Sequence, residues 1–155
     1  MKSILIPVFL ITILLPWTTV AYEHGVPFQF SLTPDVAAYQ PTQLVRGMSL
    51  SIWGENPQEA FALGAINGST GRSAGISFGL FNYADAYKGL QFSGFNSNNS
   101  LRGIQIGILN YTRKTTIGIQ FGIINIISSN TGWFNDFPRS LAPVMIFLNW
   151  HFEDI

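Results

Sequence analysis

Two overlapping stretches set a serine between glycines: Gly71-Arg72-Ser73-Ala74-Gly75 and Gly75-Ile76-Ser77-Phe78-Gly79. This is the spacing of a hydrolase nucleophile elbow, which needs a sharp strand-to-helix turn and then, in chain order, an acid and a histidine. No helical pattern follows either serine. Ser77 occupies a position where a sister copy of the same phrase has Gln105, and Ser73 lies in a Gly/Ser-rich turn, so ordinary backbone roles account for both. His24 and His151 are the only histidines, and no Asp or Glu accompanies them at ligand spacing. The chain has no cysteine, which excludes disulfides and thiolate metal sites. Glu55, Glu59, Asp85 and Asp136 fall in or beside turns, where hydrated carboxylates are ordinary. Arg113-Lys114 is a short basic link that could meet anionic headgroups, although a solvated turn explains it as well. The expectation is a protein that is not an enzyme, with no catalytic residue, no cofactor and no metal.

The elements that carry these residues are repeats. Gly103-Ile104-Gln105-Ile106-Gly107-Ile108-Leu109-Asn110 returns as Gly118 to Asn125, and earlier, with substitutions, as Gly75 to Asn82 and Gly89 to Asn96; Ala60 to Asn67 is a fainter copy. The closing asparagines stand at 67, 82, 96, 110 and 125, a period of 14 or 15 residues, which describes an architecture before it describes an activity. Their recurrence at strand ends suits a side chain that bonds nearby backbone and tolerates turns. The sequons at Asn67, Asn98 and Asn110 would matter only in a eukaryotic secretory pathway. Gly75/Gly79, Gly103/Gly107 and Gly118/Gly122 match a helix-pairing spacing, but polar links every 14 or 15 residues forbid the long apolar helix it requires.

Apolar and polar residues alternate within each copy, the period of a strand. The same alternation appears in Phe28 to Leu32, Gly47 to Trp53 and Val144 to Phe152, giving eight candidate strands and no helix after the leader. One face collects Phe28/Phe30, Leu50/Ile52, Phe61/Leu63, Ile76/Phe78, Leu90/Phe92, Ile104/Ile106, Ile119/Phe121 and Val144/Ile146. The other is small, polar and uncharged, with Gln91, Gln105, Gln120, Gly79, Gly107 and Gly122 as its expected inward-facing, structural positions. The links Tyr83 to Lys88 and Ser97 to Arg102 read as short polar reversals, and Gly132 to Pro138 as a longer aromatic loop.

Three architectures fit this two-sidedness. An eight-stranded antiparallel up-and-down β-barrel in a membrane would turn Ile and Phe to lipid and the small polar residues to a narrow lumen, with Tyr83, Tyr87, Tyr111, Trp53 and Trp150 in interfacial girdles. A soluble barrel would invert this arrangement around an apolar ligand. A parallel β-solenoid would stack the Gln and Asn positions into ladders. Reach counts against the solenoid: an eight-residue strand spans about 26 Å and a six-residue link about 20 Å. Flattening each coil into two shorter strands would relieve that. The all-β membrane barrel is the expected fold, and Glu153-Asp154-Ile155 after Phe152 is its one irregularity, since such barrels commonly end on the aromatic.

Lys2 precedes the apolar run Ile4 to Leu15, and Thr19-Val20-Ala21 supplies small residues before a cut, so residues 1–21 read as a secretory signal peptide and 22–155 as a single repeat-built domain. Without Lys2 the chain has seven basic and eight acidic residues, a balance that recommends no nucleic acid. Charged residues are 10% of the sequence against about 25% in ordinary soluble domains. The repeats resemble the leptospiral-type bacterial surface-repeat proteins, built from tandem Gly-apolar-Gln-apolar-Gly-apolar-apolar-Asn units, over Ala60 to Asn125. Phe28 to Leu32 and Phe147 to Phe152 are similar to that family's ends. The resemblance implies an exported cell-envelope protein, in the outer membrane or at the cell surface, with membrane lipid as partner and no catalytic residues to carry over.

Overall fold

Each copy of the repeat forms one coil, and each coil lies codirectionally on the one before it. The computed structural model describes residues 25–153; the expected signal peptide lies outside these. The strands are β1 (Val26–Thr33), β2 (Val36–Ala37), β3 (Val45–Asn56), β4 (Gln58–Phe78), β5 (Phe81–Ile127) and β6 (Val144–Phe152), in the sheet order β2-β1-β3-β4-β5-β6. β1 pairs parallel with β3, β3 with β4 and β4 with β5. Asn67 faces Asn82 and Ser77 faces Gln91, so neighbours are one repeat apart. Within β5 the offset continues, with Gln105 bonded to Gln91 and Asn110 bonded to Asn96.

These pairings overturn the eight-stranded antiparallel barrel, membrane-inserted or soluble. The fold is an all-β solenoid of stacked coils, without helix among the described residues. Only the ends run antiparallel: β2 folds back on β1, and β6 pairs against Ile117 to Ile126.

The reach argument fails because the supposed link is itself strand, so a coil is two legs rather than one long strand with a return. The chain bends near the closing asparagine, and what reads as a polar link is the second leg. Strand runs through Tyr83–Lys88 and Ser97–Arg102 without interruption. Ala84 and Tyr87 in the first, Asn98 and Leu101 in the second, and Thr112 and Thr115 in the next coil are buried. Tyr87 therefore points into the coil and belongs to no interfacial girdle.

At the opposite bend the chain needs glycine. Gly75, Gly89 and Gly103 have φ of +132°, +139° and +145°, a region that L side chains rarely adopt. A Cβ on any of them would be driven into the carbonyl oxygen of Ala60, Gly75 or Gly89, one coil back. Steric exclusion thus sets both the bend and the close approach of successive coils. Gly103→Ala is expected to cost about 2 to 4 kcal/mol. Gly71→Ala, at φ +59° with open space around it, should cost about 1 kcal/mol. Urea midpoints of the two variants check the difference, and equal losses would mean that the carbonyl contact does not matter.

Candidate functional site

The inside of the coil is built from amides. Gln29, Gln91, Gln105, Gln120, Asn96, Asn110 and Asn125 are wholly or almost wholly inaccessible to solvent, whereas Phe30 is 53%, Ile108 55% and Ile123 59% exposed. The polar face of each repeat is interior and the apolar face exterior.

A buried amide is tolerable only when its donors and acceptor are matched. Asn67 Nδ2 donates to Asn82 Oδ1 at 2.9 Å, Asn82 to Asn96 at 3.1 Å, Asn96 to Asn110 at 2.8 Å and Asn110 to Asn125 at 2.8 Å. The second hydrogen of each of the first four goes to a main-chain carbonyl, of Phe78, Phe92, Ile106 and Phe121. Asn125 closes the row by donating to Gly122 O. A second ladder runs the other way: Gln120 Nε2 donates to Gln105 Oε1 at 2.8 Å, and Gln105 Nε2 to Gln91 Oε1 at 3.1 Å. The donors of one row point toward the C-terminal coils and those of the other toward the N-terminal coils. Thr112 and Asn98, on the opposite leg, donate to Gln105 and Gln91 and tie the two legs of a coil together.

Gly79, Gly107 and Gly122 make room for the asparagine row. A Cβ at Gly107 would lie 2.9 Å from Asn96 Nδ2 and 3.0 Å from Asn110 Oδ1. Where the sequence has serine at this position it joins the ladder, as Ser93 does by donating to Asn96 Oδ1 at 2.9 Å. The glycines are thus solenoid-interior positions and line no barrel lumen.

The two serines of the elbow-like motifs are occupied structurally. Ser77 Oγ is buried and donates to Asn82 Oδ1, and Ser73 Oγ donates to Thr70 O while accepting from Gln58 N. His151 Nδ1 lies 2.6 Å from Asn130 Oδ1 in the C-terminal end of the fold. Asp85 accepts from Gly71 N at 2.9 Å. Tyr83 extends over Gly68 to donate to Glu55 at 2.7 Å and accepts from Trp53 Nε1 at 3.2 Å. Partial burial raises its pKa, and Glu55 adds to the rise while the indole N–H opposes it. No nucleophile, base and orienting group converge in these arrangements.

The outer surface of the first legs is the candidate site. Met48, Ile52, Phe61, Leu63, Ile76, Ile106, Ile108, Phe121 and Ile123 are all exposed on it. Phe78 and Phe92 stack at 4.8 Å, and Phe81 and Phe95 at 5.0 Å along the bend, close to the spacing of neighbouring strands. The outer surface of the second legs is polar instead, with Asp85, Ser97, Asn99, Arg113 and Lys114 exposed. Sequence reasoning missed Lys88 and Arg102, assigned there to links, which stand exposed at the glycine bend bordering the apolar flank. Their position directly before Gly89 and Gly103 was the available signal.

Asn96→Asp is expected to cost about 3 kcal/mol or more at neutral pH, because the new side chain still accepts from Asn82 and Ser93 but loses a donor to Asn110 or Ile106 O, and its charge would be buried without a counter-charge. Burial raises that carboxyl's pKa, so the folded variant holds a proton which the unfolded chain releases above pH ~3.9. Its stability therefore falls as pH rises through that window, which urea titrations at acid and neutral pH would detect. Burial also pushes the Tyr87 phenol up, and its hydroxyl has no hydrogen-bond partner among the described residues. The folded state keeps this proton when unfolded tyrosine loses its own near pH ~10, so stability falls with alkali. Tyr87→Phe should flatten that fall in urea titrations carried from neutral pH to above pH ~10, and an unchanged slope would place the phenol in water.

No protein-family model, curated protein or solved structure matches the chain, so its function has to be inferred from its own surfaces.

Proposed function

We propose that this chain is a non-catalytic structural module of the bacterial cell envelope, exported and held at the membrane or cell surface, whose working part is its apolar flank. The observation that carries this reading is the inversion of the solenoid: uncharged amides are stacked inside while Ile, Leu, Met and Phe face out along the first legs. A contiguous apolar face of this kind is rare on a free monomer and marks an interaction surface. The resemblance of the repeats to bacterial surface-repeat proteins and the leader-like residues 1–21 support the location. The soluble apolar-ligand barrel has no support left, because the enclosed space is filled by the Gln and Asn ladders with Tyr87, Leu101 and Ile127.

Fractionation of the producing cell tests the reading. The chain should be recovered with the envelope, beginning at Tyr22. Ile106→Glu combined with Phe121→Glu should release it to the soluble fraction with its β-sheet spectrum intact, since both side chains face outward and neither belongs to the ladders. If the double variant were retained as well as the parent chain, the flank would not be the working surface.

A further inference from the structure

We infer that the apolar flank docks onto a bilayer containing anionic phospholipid, with Lys88 and Arg102 at its rim pairing with headgroup phosphates. This rests on the flank being the working surface, and it adds the partner's chemistry and the residues that select it.

Lys88 and Arg102 directly precede Gly89 and Gly103 and so stand one coil apart in register, about 4.8 Å at the backbone. Like charges placed opposite one another on neighbouring strands repel. Both side chains are exposed, and neither meets a carboxylate among the described residues. The same rim further toward the N-terminus is different, since Arg46 is neutralised by Glu59 at 3.0 Å. The two uncompensated cations overlook a shallow groove of about 350 Å³, floored by Leu90, Ile104 and Ile119. Cations bordering an apolar floor match the headgroup–acyl boundary of a lipid, where long basic side chains reach up to phosphate while apolar groups sink.

A second copy of the chain fits less well. The opposite rim carries Ile66, Phe81, Phe95, Leu109 and Ile124 in successive coils, with no carboxylate among them. A copy turned about the solenoid axis would therefore lay Lys88 and Arg102 against apolar side chains. A bilayer offers phosphate and hydrocarbon together at the right depth.

Flotation of the purified exported chain with vesicles tests this, using phosphatidylcholine alone and phosphatidylcholine mixed with phosphatidylglycerol. Binding should be about tenfold tighter or more to the mixed vesicles, given two basic groups at the surface, and the advantage should shrink with salt. Lys88→Gln with Arg102→Gln should lose that advantage and keep the weaker binding to phosphatidylcholine. Arg113→Gln with Lys114→Gln, on the polar flank, should change nothing. Ile106→Glu with Phe121→Glu should abolish binding to both. The inference is overturned by absence of vesicle binding, by equal binding to the two compositions, by loss of the advantage in the Arg113/Lys114 variant alone, or by a chain that sediments as a dimer through this flank. If vesicles fail to bind while Ile106→Glu with Phe121→Glu still leaves the envelope, the flank remains the working surface and only the lipid is wrong. If that variant also stays in the envelope, both readings fall.

Discussion

The asparagine row is the constraint on which the rest of the fold depends. Each buried amide from Asn67 to Asn110 has two hydrogens to place and places one on the next asparagine and one on a carbonyl. That arrangement requires the asparagines to lie one above another, which fixes the effective length of a coil. At Gly79, Gly107 and Gly122 the amides, together with a main-chain carbonyl of the preceding coil, leave no space for a Cβ. Variation in repeat length is confined elsewhere. The register shift in β4 falls between Ser69 and Arg72, at an exposed irregularity of the strand around Gly71, while Asn67 still faces Asn82 and Ser73 faces Tyr87. An extra residue is absorbed where no ladder would be broken.

Much of this was legible in the sequence, and the part that was not has a physical cause. The two faces of each repeat could be sorted correctly, because period-two alternation is a local property. Which face is enclosed is a property of closure, and Gln105 beside Ile106 reads the same in a membrane barrel and in a solenoid. The decisive information lay in segments dismissed as links. Asn98 and Leu101, or Thr112 and Thr115, are inward positions of a second leg, but their three-residue spacing obscures the alternation, and polar inward residues look like solvated ones. Gln91, Gln105 and Gln120 read from the sequence as lumen-facing positions of a barrel. Their mutual bonding follows only from the solenoid, which meets the reach limit only with each coil flattened into two shorter legs, as the bend near Asn96 does.

Stacked coils leave two open ends, and an unpaired edge is a template for uncontrolled pairing. The C-terminal end is closed by β6, whose antiparallel direction interrupts the repeat, and by Asn130, which donates to Ala142 O and Trp150 O. Phe152 N in turn bonds Arg139 O, so the aromatic loop covers the last strand. At the N-terminal end Gln29 donates to Tyr39 O and accepts from Tyr39 N, as a strand backbone would. β2 extends the same cover along Ser31 and Thr33. Both ends depart from the repeat for the same reason: continuing it would continue the edge.

An amide interior also changes what the outside is free to be. In an ordinary domain apolar side chains are consumed in the core, and their number limits how much can be displayed. Here buried apolar side chains are few, Val26, Val45 and Ala60 clustered at the N-terminal coils with Leu101 and Ile127 further along, and specificity of stacking comes from amide-to-amide hydrogen bonds that form only in one register. The aliphatic and aromatic residues are thereby released to the first-leg surface, where columns such as Phe78 over Phe92 repeat at strand spacing. The ladder and the exposed flank consequently draw on different residues of the same strand. Alternate positions face the ladder or the flank, so a change at Gln105 acts on the coil and a change at Ile106, its neighbour, on the exposed surface. A β-barrel in a membrane could not separate the two, because its outward residues would be needed for folding itself.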